Sequence, residues 1–505
     1  MAIGARALAA LILLLVAAPL GAVAWRAEGL SLSAADLAAL RFTLMQAALS
    51  ALISCALAVP LARALARRRF AGRGALITLL GAPFLLPVIV AIMGLLTIFG
   101  RAGLVNMALR PLGLPEVSIY GLQGVLLAHV FLNLPLATRM VLQGWQAIPA
   151  ERLRLGESLG FAPADLARHL ERPMLREVLP GALATVFAIC LTSFAVALTL
   201  GGGPRATTLE LAIYQAIRFD FDLSHAAGLA LTQTAFGGIA ALFAWRLTSP
   251  AGFGAGLDRP WPIVAPGGWR WGLDSALIAL AAAFLLLPMT AIALTGLPGF
   301  ADLPVSVWAA TGRSLSVALL STAVTLALAL ALVLTRCPPP WLGLAAVLPL
   351  ATSSLALGTG LFLLLHPLVA PGRLALPVTV LVNALMTLPF AYRLLLPEAR
   401  ALNADYGRLA DSLGLSGLSR LRLLILPRLA RPLGFSAGLS AALSMGDLGV
   451  IALFAGEREA TLPLLIQRLT AAYRIETAAS ASLLLVVISF ALFWAFDAGG
   501  RRAAA

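Results

Sequence analysis

Leu134-Pro135-x-Ala137-x-Arg139, then Ser158-Leu159-Gly160, then Pro173 form a series that returns 254 positions later as Leu388-Pro389-x-Ala391-x-Arg393, Ser412-Leu413-Gly414 and Pro427. The same register pairs Arg154 with Arg408, Glu157 with Asp411, Leu170 with Leu424, Val196 with Val450, Gly202 with Gly456 and Thr207 with Thr461. Chance matches between alanine- and leucine-rich stretches are common, but matched polar, glycine and proline positions in one register are not. The chain therefore reads as two similar halves, residues 1–260 and 261–505, fused in one polypeptide.

The 505 residues around this repeat are 61% hydrophobic and 11% charged, against roughly a quarter charged in an ordinary soluble domain. A bilayer span needs about 20 mostly apolar residues. Such stretches lie at about 7–25, 42–66, 76–99, 120–142, 181–200 and 226–247, then at about 272–296, 314–335, 342–366, 374–396, 433–454 and 477–497. The expected fold is an all-α polytopic membrane protein with about twelve transmembrane helices. An even number of spans separates the copies, so the repeats have parallel topology, related by an axis roughly along the membrane normal, and a pathway is expected between them. Ala22-Val23-Ala24 resembles a signal-peptide cleavage site, but loss of Leu8–Val23 would upset the topology, so this stretch reads as the first span. Residues 27–41 read as a short external segment.

Arg63, Arg67, Arg68, Arg69 and Arg73 form the densest basic run and mark the loop after the second span as cytoplasmic. Both termini, with Arg6, Arg501 and Arg502, then lie in the cytoplasm, as do the polar connections 143–180 and 397–432. The net charge of +14 is thus a topology signal and not the footprint of a nucleic-acid partner. All 36 basic residues are arginine. Without lysine the chain can build neither a P-loop nor a Schiff base, so if ATP supplies the energy, another subunit binds it. Cys55, Cys190 and Cys337 and four scattered histidines suggest no disulfide framework and no metal site.

In each polar connection a helix-compatible stretch, Glu151 to Leu159 or Ala404 to Leu413, should stop at Gly160 or Gly414, since glycine takes the left-handed C-cap conformation. A second short helix should then run toward Pro173 or Pro427, thirteen residues on. The product is an exposed helix-turn-helix suited to a partner's groove. A pair of ordinary juxtamembrane helices is the competing reading.

These loops, at 150–176 and 404–430, resemble the EAA loop of permease subunits in binding-protein-dependent ABC importers. That pattern has glycine six residues after its glutamate and a hydrophobic-x-Leu-Pro ending, met here by Leu170-Glu171-Arg172-Pro173 and more closely by Leu424-Ile425-Leu426-Pro427. The name-giving glutamate position holds Arg154 and Arg408, and the nearby acids are Glu157 and Asp411. The whole chain is similar to the fused ferric-iron and thiamine importer group. Ser193 to Pro204, continuing to Arg218-Phe219-Asp220, and Ser444 to Phe454 resemble the thiamine permeases of that group. The resemblance implies a type I importer permease fold in the cytoplasmic (inner) membrane, moving thiamine or its phosphates. It further implies two cytosolic ATPase subunits carrying ATP-Mg, an external substrate-binding protein, and no cofactor or bond chemistry in this chain. ATPase coupling then falls to Arg154, Glu157, Ser158, Gly160 and Pro173, and to Arg408, Asp411, Ser412, Gly414 and Pro427. A ferric-iron importer is the alternative within the class, and an ion-driven secondary transporter the alternative outside it.

Asp447 is the one acid expected within a span, where a charge costs roughly 2.5–3.5 kcal/mol and so faces a pathway or a partner group. A carboxylate would suit the permanent thiazolium cation of thiamine, whereas a structural ion pair or a helix break near the external end would also hold it. Ser444, Thr192, Ser193 and Phe194 are further candidates for the path, and equally helix-contact residues. Gly201-Gly202-Gly203-Pro204 reads as an external turn. The segment from Thr207 to Arg218, with Leu209, Ala212, Ile213 and Ala216 at helical spacing, reads as a helix on the outer face that either docks the binding protein or caps the bundle. His129, Asn133 and Gln143 read as buried or interface polar residues.

Overall fold

The computed structural model describes residues 2–27, 32–80, 86–203, 206–247, 268–335, 340–456 and 458–504. The division at 260/261, Pro204 and Cys337 lie outside them. The described residues form helices and no strands. Lipid offers no hydrogen bonds to an unpaired backbone, so a spanning segment must satisfy itself, and helices do so. In the first half of the sequence these are α1 (Ala2–Arg26), α2 (Ala34–Arg67), α3 (Arg73–Leu79), α4 (Val88–Phe99), α5 (Leu104–Leu109), α6 (Leu122–Gln146), α7 (Ala150–Ser158), α8 (Pro163–Leu166), α9 (Arg172–Leu191), α10 (Phe194–Leu200), α11 (Leu209–Gln215) and α12 (Leu223–Leu247). The second half has α13 (Trp269–Gly296), α14 (Val305–Val333), α15 (Pro340–Val347), α16 (Ser354–Leu365), α17 (Pro371–Ser412), α18 (Gly417–Arg420), α19 (Leu426–Met445), α20 (Gly449–Phe454), α21 (Leu462–Ala471) and α22 (Ile475–Ala504). Among the described residues, eleven helical stretches are long and apolar enough to cross a membrane, and the pair Trp341–Ala351 and Ser354–Leu365, bent by 96°, makes a twelfth if it is one broken span. The chain is a multi-pass membrane protein.

The polar run expected as an external segment is partly helical. Ser33 caps α2 in a reciprocal box: Asp36 N–H donates to Ser33 Oγ at 3.2 Å, and Ser33 N–H donates to Asp36 Oδ2 at 2.8 Å. That box starts the helix at Ala34, eight residues before the apolar stretch begins.

The halves interlock through their first helices. α1 packs against α16 and α15 of the second half, and α13 packs against α4 and α2 of the first. Backbone meets backbone at both crossings. A Cβ on Gly360 would lie 2.3 Å from the Pro19 carbonyl oxygen, and one on Gly94 would lie 2.8 Å from that of Pro288. Both partner carbonyls belong to prolines inside the crossing helix. As a result each buried core mixes the halves: one joins α2, α4, α6 and α9 to α13 and α22, the other joins α1, α11 and α12 to α16, α17 and α20.

Two spans expected as single stretches are interrupted at equivalent places. α9 ends at Leu191 and the chain resumes as α10 at Phe194, while α19 ends at Met445 and resumes as α20 at Gly449. Both breaks lie at the far end of their helix from the polar loops.

Candidate functional site

The two polar loops make the same turn. In the first, Leu159 N–H donates to Leu155 O at 2.9 Å, Gly160 N–H to Glu157 O at 3.0 Å and Phe161 N–H to Gly156 O at 2.9 Å. In the second, Leu413 N–H donates to Leu409 O at 3.0 Å, Gly414 N–H to Asp411 O at 3.2 Å and Leu415 N–H to Ala410 O at 2.9 Å. Gly160 and Gly414 have φ of +68° and +65°, the left-handed cap that closes a Schellman turn. Ser158 and Ser412 each donate their hydroxyl back to the helix, to Leu155 O at 2.9 Å and Leu409 O at 2.8 Å. Leu155 and Leu159 are 59% and 62% exposed, and their counterparts Leu409 and Leu413 are 54% and 64% exposed, so each turn presents two apolar knobs. Arg154, Glu157, Arg408 and Asp411 lie on the exposed surface of the same turns.

The return segments depart from expectation. No helix ends at Pro173 or Pro427. Instead α8 and α18 pass through a π-helical turn, Ala167–Glu171 or Leu421–Ile425, directly into α9 or α19, with the prolines in the first turn where a missing N–H costs nothing. The approach differs too. Pro149 starts α7 separately from α6, whereas α17 runs unbroken from its span to Ser412.

Behind the shared turn the fastenings differ. Glu171, at the end of the first π turn, pairs with Arg63 at 2.6 Å and Arg67 at 2.8 Å on α2. The matching residue of the second loop is Ile425, a buried apolar side chain. Toward the tip the pattern reverses. Phe161 and Leu166 close over Gly156 in the first loop. In the second, Arg420 donates to Asp411 at 2.8 Å and to Asn403 Oδ1 at 3.0 Å, and Arg428 lies over the Tyr406 ring at 4.6 Å.

The helix breaks collect the path candidates. Thr192 ends α9 and bonds its own helix, at Ile189 O, 3.3 Å. Ser193 Oγ is 2.8 Å from His129 Nε2, and His129 Nδ1 is 3.2 Å from Ser50 Oγ, so this hydroxyl is tied to α6 and α2. Phe194 is buried against Tyr214, ring centroids 5.3 Å apart. In the second half Ser444 accepts from Ser321 Oγ at 2.8 Å and from Asn383 Nδ2 at 2.9 Å. Asn383 matches His129 in the repeat and Asp447 matches Ser193, but Asn383 is spent on Ser444. Asp447 sits in the break between α19 and α20, and its enclosed Oδ2 has no hydrogen-bond partner among the described residues. Gly446 beside it lies against Pro87 of the other half.

Comparison with known proteins decides the family. The chain is similar to the thiamine transport system permease protein ThiP of Salmonella typhimurium, 39% identical over 467 residues that cover 90% of this chain and 87% of that protein. The ThiP proteins of Brucella abortus strain 2308 and Haemophilus influenzae are 38% and 34% identical, each over 90% of this chain and 86% of its own length. The chain belongs to the thiamine transport system permease family. The molybdenum transport system permease protein ModB of Azotobacter vinelandii is 30% identical over 182 residues, which cover 80% of that protein but 36% of this chain. No family model matches the chain.

Within this permease frame the structure adds residues the sequence did not single out. The segment 207–218 packs into the bundle along one side: α11 packs against α12, α2 and α16, and Leu209, Glu210 and Ile213 are 0–1% exposed. Glu210 interacts with Gln233 of α12 and, across the halves, with Ser353 at the cap of α16. Asp36, also buried, meets His225 Nε2 at 3.0 Å. Asp447 is therefore not alone among enclosed acids. The helical spacing of Leu209, Ala212, Ile213 and Ala216 was the available signal, since an apolar face of that kind packs against other helices. His129 and Asn133 are buried as expected, while Gln143 is exposed at the end of α6.

Proposed function

We propose that the chain is the membrane-spanning subunit of an ABC importer that carries thiamine into the cytoplasm. The loops 150–176 and 404–430 dock into two cytosolic ATPase subunits, which hold ATP-Mg, and a substrate-binding protein delivers thiamine on the opposite face. Both termini lie in the cytoplasm, on the side of the arginine-rich loops. The reading is carried by one observation above others: the same left-handed turn, bearing two exposed leucines, occurs twice on a chain whose relatives of matching length are thiamine transport permeases. Buried apolar knobs in a partner groove supply affinity, and ATPase closure then favours one arrangement of the halves over the other through differential contacts. The breaks at 192–193 and 446–448 lie on the path between the halves, and Asp447 offers its carboxylate to the thiazolium cation.

Uptake of labelled thiamine by a strain lacking its own permease, complemented with this chain, its ATPase and its binding protein, tests the proposal. Thiamine accumulation that a Walker mutation in the ATPase abolishes is the expected result. Accumulation of ferric iron without thiamine would overturn the substrate, and thiamine uptake that survives the Walker mutation would make the chain an ion-driven transporter.

A further inference from the structure

Around the end of α9, three enclosed oxygen acceptors have no donor to meet them. Gln46 on α2 and Gln233 on α12 commit their amide nitrogens to carbonyls that the helix break leaves without partners. Gln46 Nε2 donates to Cys190 O at 2.9 Å and Gln233 Nε2 donates to Leu191 O at 3.0 Å. Those bonds fix the direction of each amide, so in both residues Oε1 is the atom left over, and among the described residues neither has a partner. Oε1 of Glu210 is the third enclosed oxygen without one. The three side chains are 0–1% exposed. Buried polar atoms are nearly always satisfied, and with Glu210 ionised these acceptors cannot satisfy one another. Such a group is complementary to a ligand made of donors and positive charge.

Its position ties it to movement of the halves. Gln46, Gln233 and Glu210 belong to first-half helices, and the residue that closes over Glu210 is Ser353 of the second half. Ser353 Oγ accepts from Ala356 N–H at 2.9 Å, which leaves its own proton for the carboxylate. A separation of the halves would take that donor away. Asp447, at the equivalent break of the second half, also carries an oxygen without a partner and neighbours Pro87 of the first half through Gly446. Each half thus brings one carboxylate to its own interrupted helix.

We infer that Glu210, flanked by Gln233 and Gln46, is a recognition point for an organic cation on the transport path, distinct from Asp447 and reached when the halves part. The inference rests on the reading of thiamine as substrate, because thiamine joins a permanent ring cation to an aminopyrimidine bearing N–H donors. The carboxylate meets the charge, and the glutamine oxygens accept from the N–H groups.

Competitive uptake by proteoliposomes holding the whole importer, permease with ATPase and binding protein, tests it. The two probes are labelled thiamine and a neutral isostere with thiophene in place of the thiazolium ring. Their ratio does not depend on how much permease folds. Glu210→Gln is expected to reduce the preference for thiamine by about tenfold or more, and Gln233→Leu by about threefold, in line with charged and neutral hydrogen bonds. Glu210→Asp should keep most of the preference. An unchanged preference in Glu210→Gln overturns the inference while leaving thiamine as the substrate. If Glu210→Gln takes up neither probe, an unchanged preference in Gln233→Leu overturns it. Failure of the unaltered importer to take up thiamine overturns the substrate reading and this inference together.

Discussion

The first loop is fastened to its own half by an ion pair at the root and apolar packing at the tip, and the second by an apolar root and an ionic tip. Glu171 with Arg63 and Arg67 holds one root, Ile425 the other. Phe161 and Leu166 pack one tip, Arg420 with Asp411 and Asn403 staples the other. Yet the turns between root and tip agree hydrogen bond for hydrogen bond. Under the proposed function, the difference separates the part of the loop that the ATPase would read from the parts that only hold it. Fastenings face each half's own helices and can vary so long as each is satisfied, whereas the turn with its leucines is held in common. The approach fits the same division. Pro149 cannot donate an N–H to a preceding helix and so separates α7 from α6, while Asn403 continues α17 and offers its side-chain oxygen to Arg420.

Four measurements would break or sharpen this comparison, each read as a thermal-unfolding shift of the purified chain in detergent. Glu171→Ala should be the most damaging, by about 3–5 kcal/mol, because it strands two arginines whose partner is largely buried; a loss no greater than that of Asp411→Ala would dissolve the contrast between the buried ionic root and the exposed ionic tip. Next comes Ile425→Ala, expected to cost about 2–4 kcal/mol as an apolar side chain is removed from a closed site, with no dependence on salt. A strong salt dependence there would show that the second root is not apolar. Gly160→Ala and Gly414→Ala should cost about 1–2 kcal/mol each, and equally, since nothing surrounds either position and only the left-handed conformation is penalised. Unequal costs would mean that the turns are less alike than their hydrogen bonds. Arg420→Ala should be mildest, about 0.2–1 kcal/mol, and its effect should shrink in high salt because Asp411 is 55% exposed.

Much of this was legible in the residues. The register of Ser158-Leu159-Gly160 with Ser412-Leu413-Gly414 located both turns, and glycine at the stop implied the left-handed cap that both adopt. Twelve apolar stretches anticipated the helices because a span must be long and apolar wherever it packs. What the residues did not disclose depends on distant partners. The exchange of α1 and α13 between halves turns on Gly94 meeting Pro288 and Gly360 meeting Pro19, contacts without a local pattern. Glu210 had no role in the outer-face reading of residues 207–218, because its neighbours Gln233 and Ser353 come from elsewhere in the chain. Asp36 lay in a run read as an external segment, although Ser33 three residues before it has the capping-box spacing that starts a helix. The break beside Asp447 was one of the readings its charge allowed, whereas the break beside Ser193 was hidden, since an apolar stretch without a charge reads the same whether or not it is interrupted.

The central claim is that both loops engage the ATPase, and single-cysteine crosslinking tests it most directly. With the native cysteines replaced, Ser158→Cys and Ser412→Cys are each treated with a short bifunctional reagent in the assembled importer. The account predicts a permease–ATPase product from both positions, in similar yield, because both serines occupy the same place on the same turn. No product from either position, in a complex that still copurifies, would contradict it.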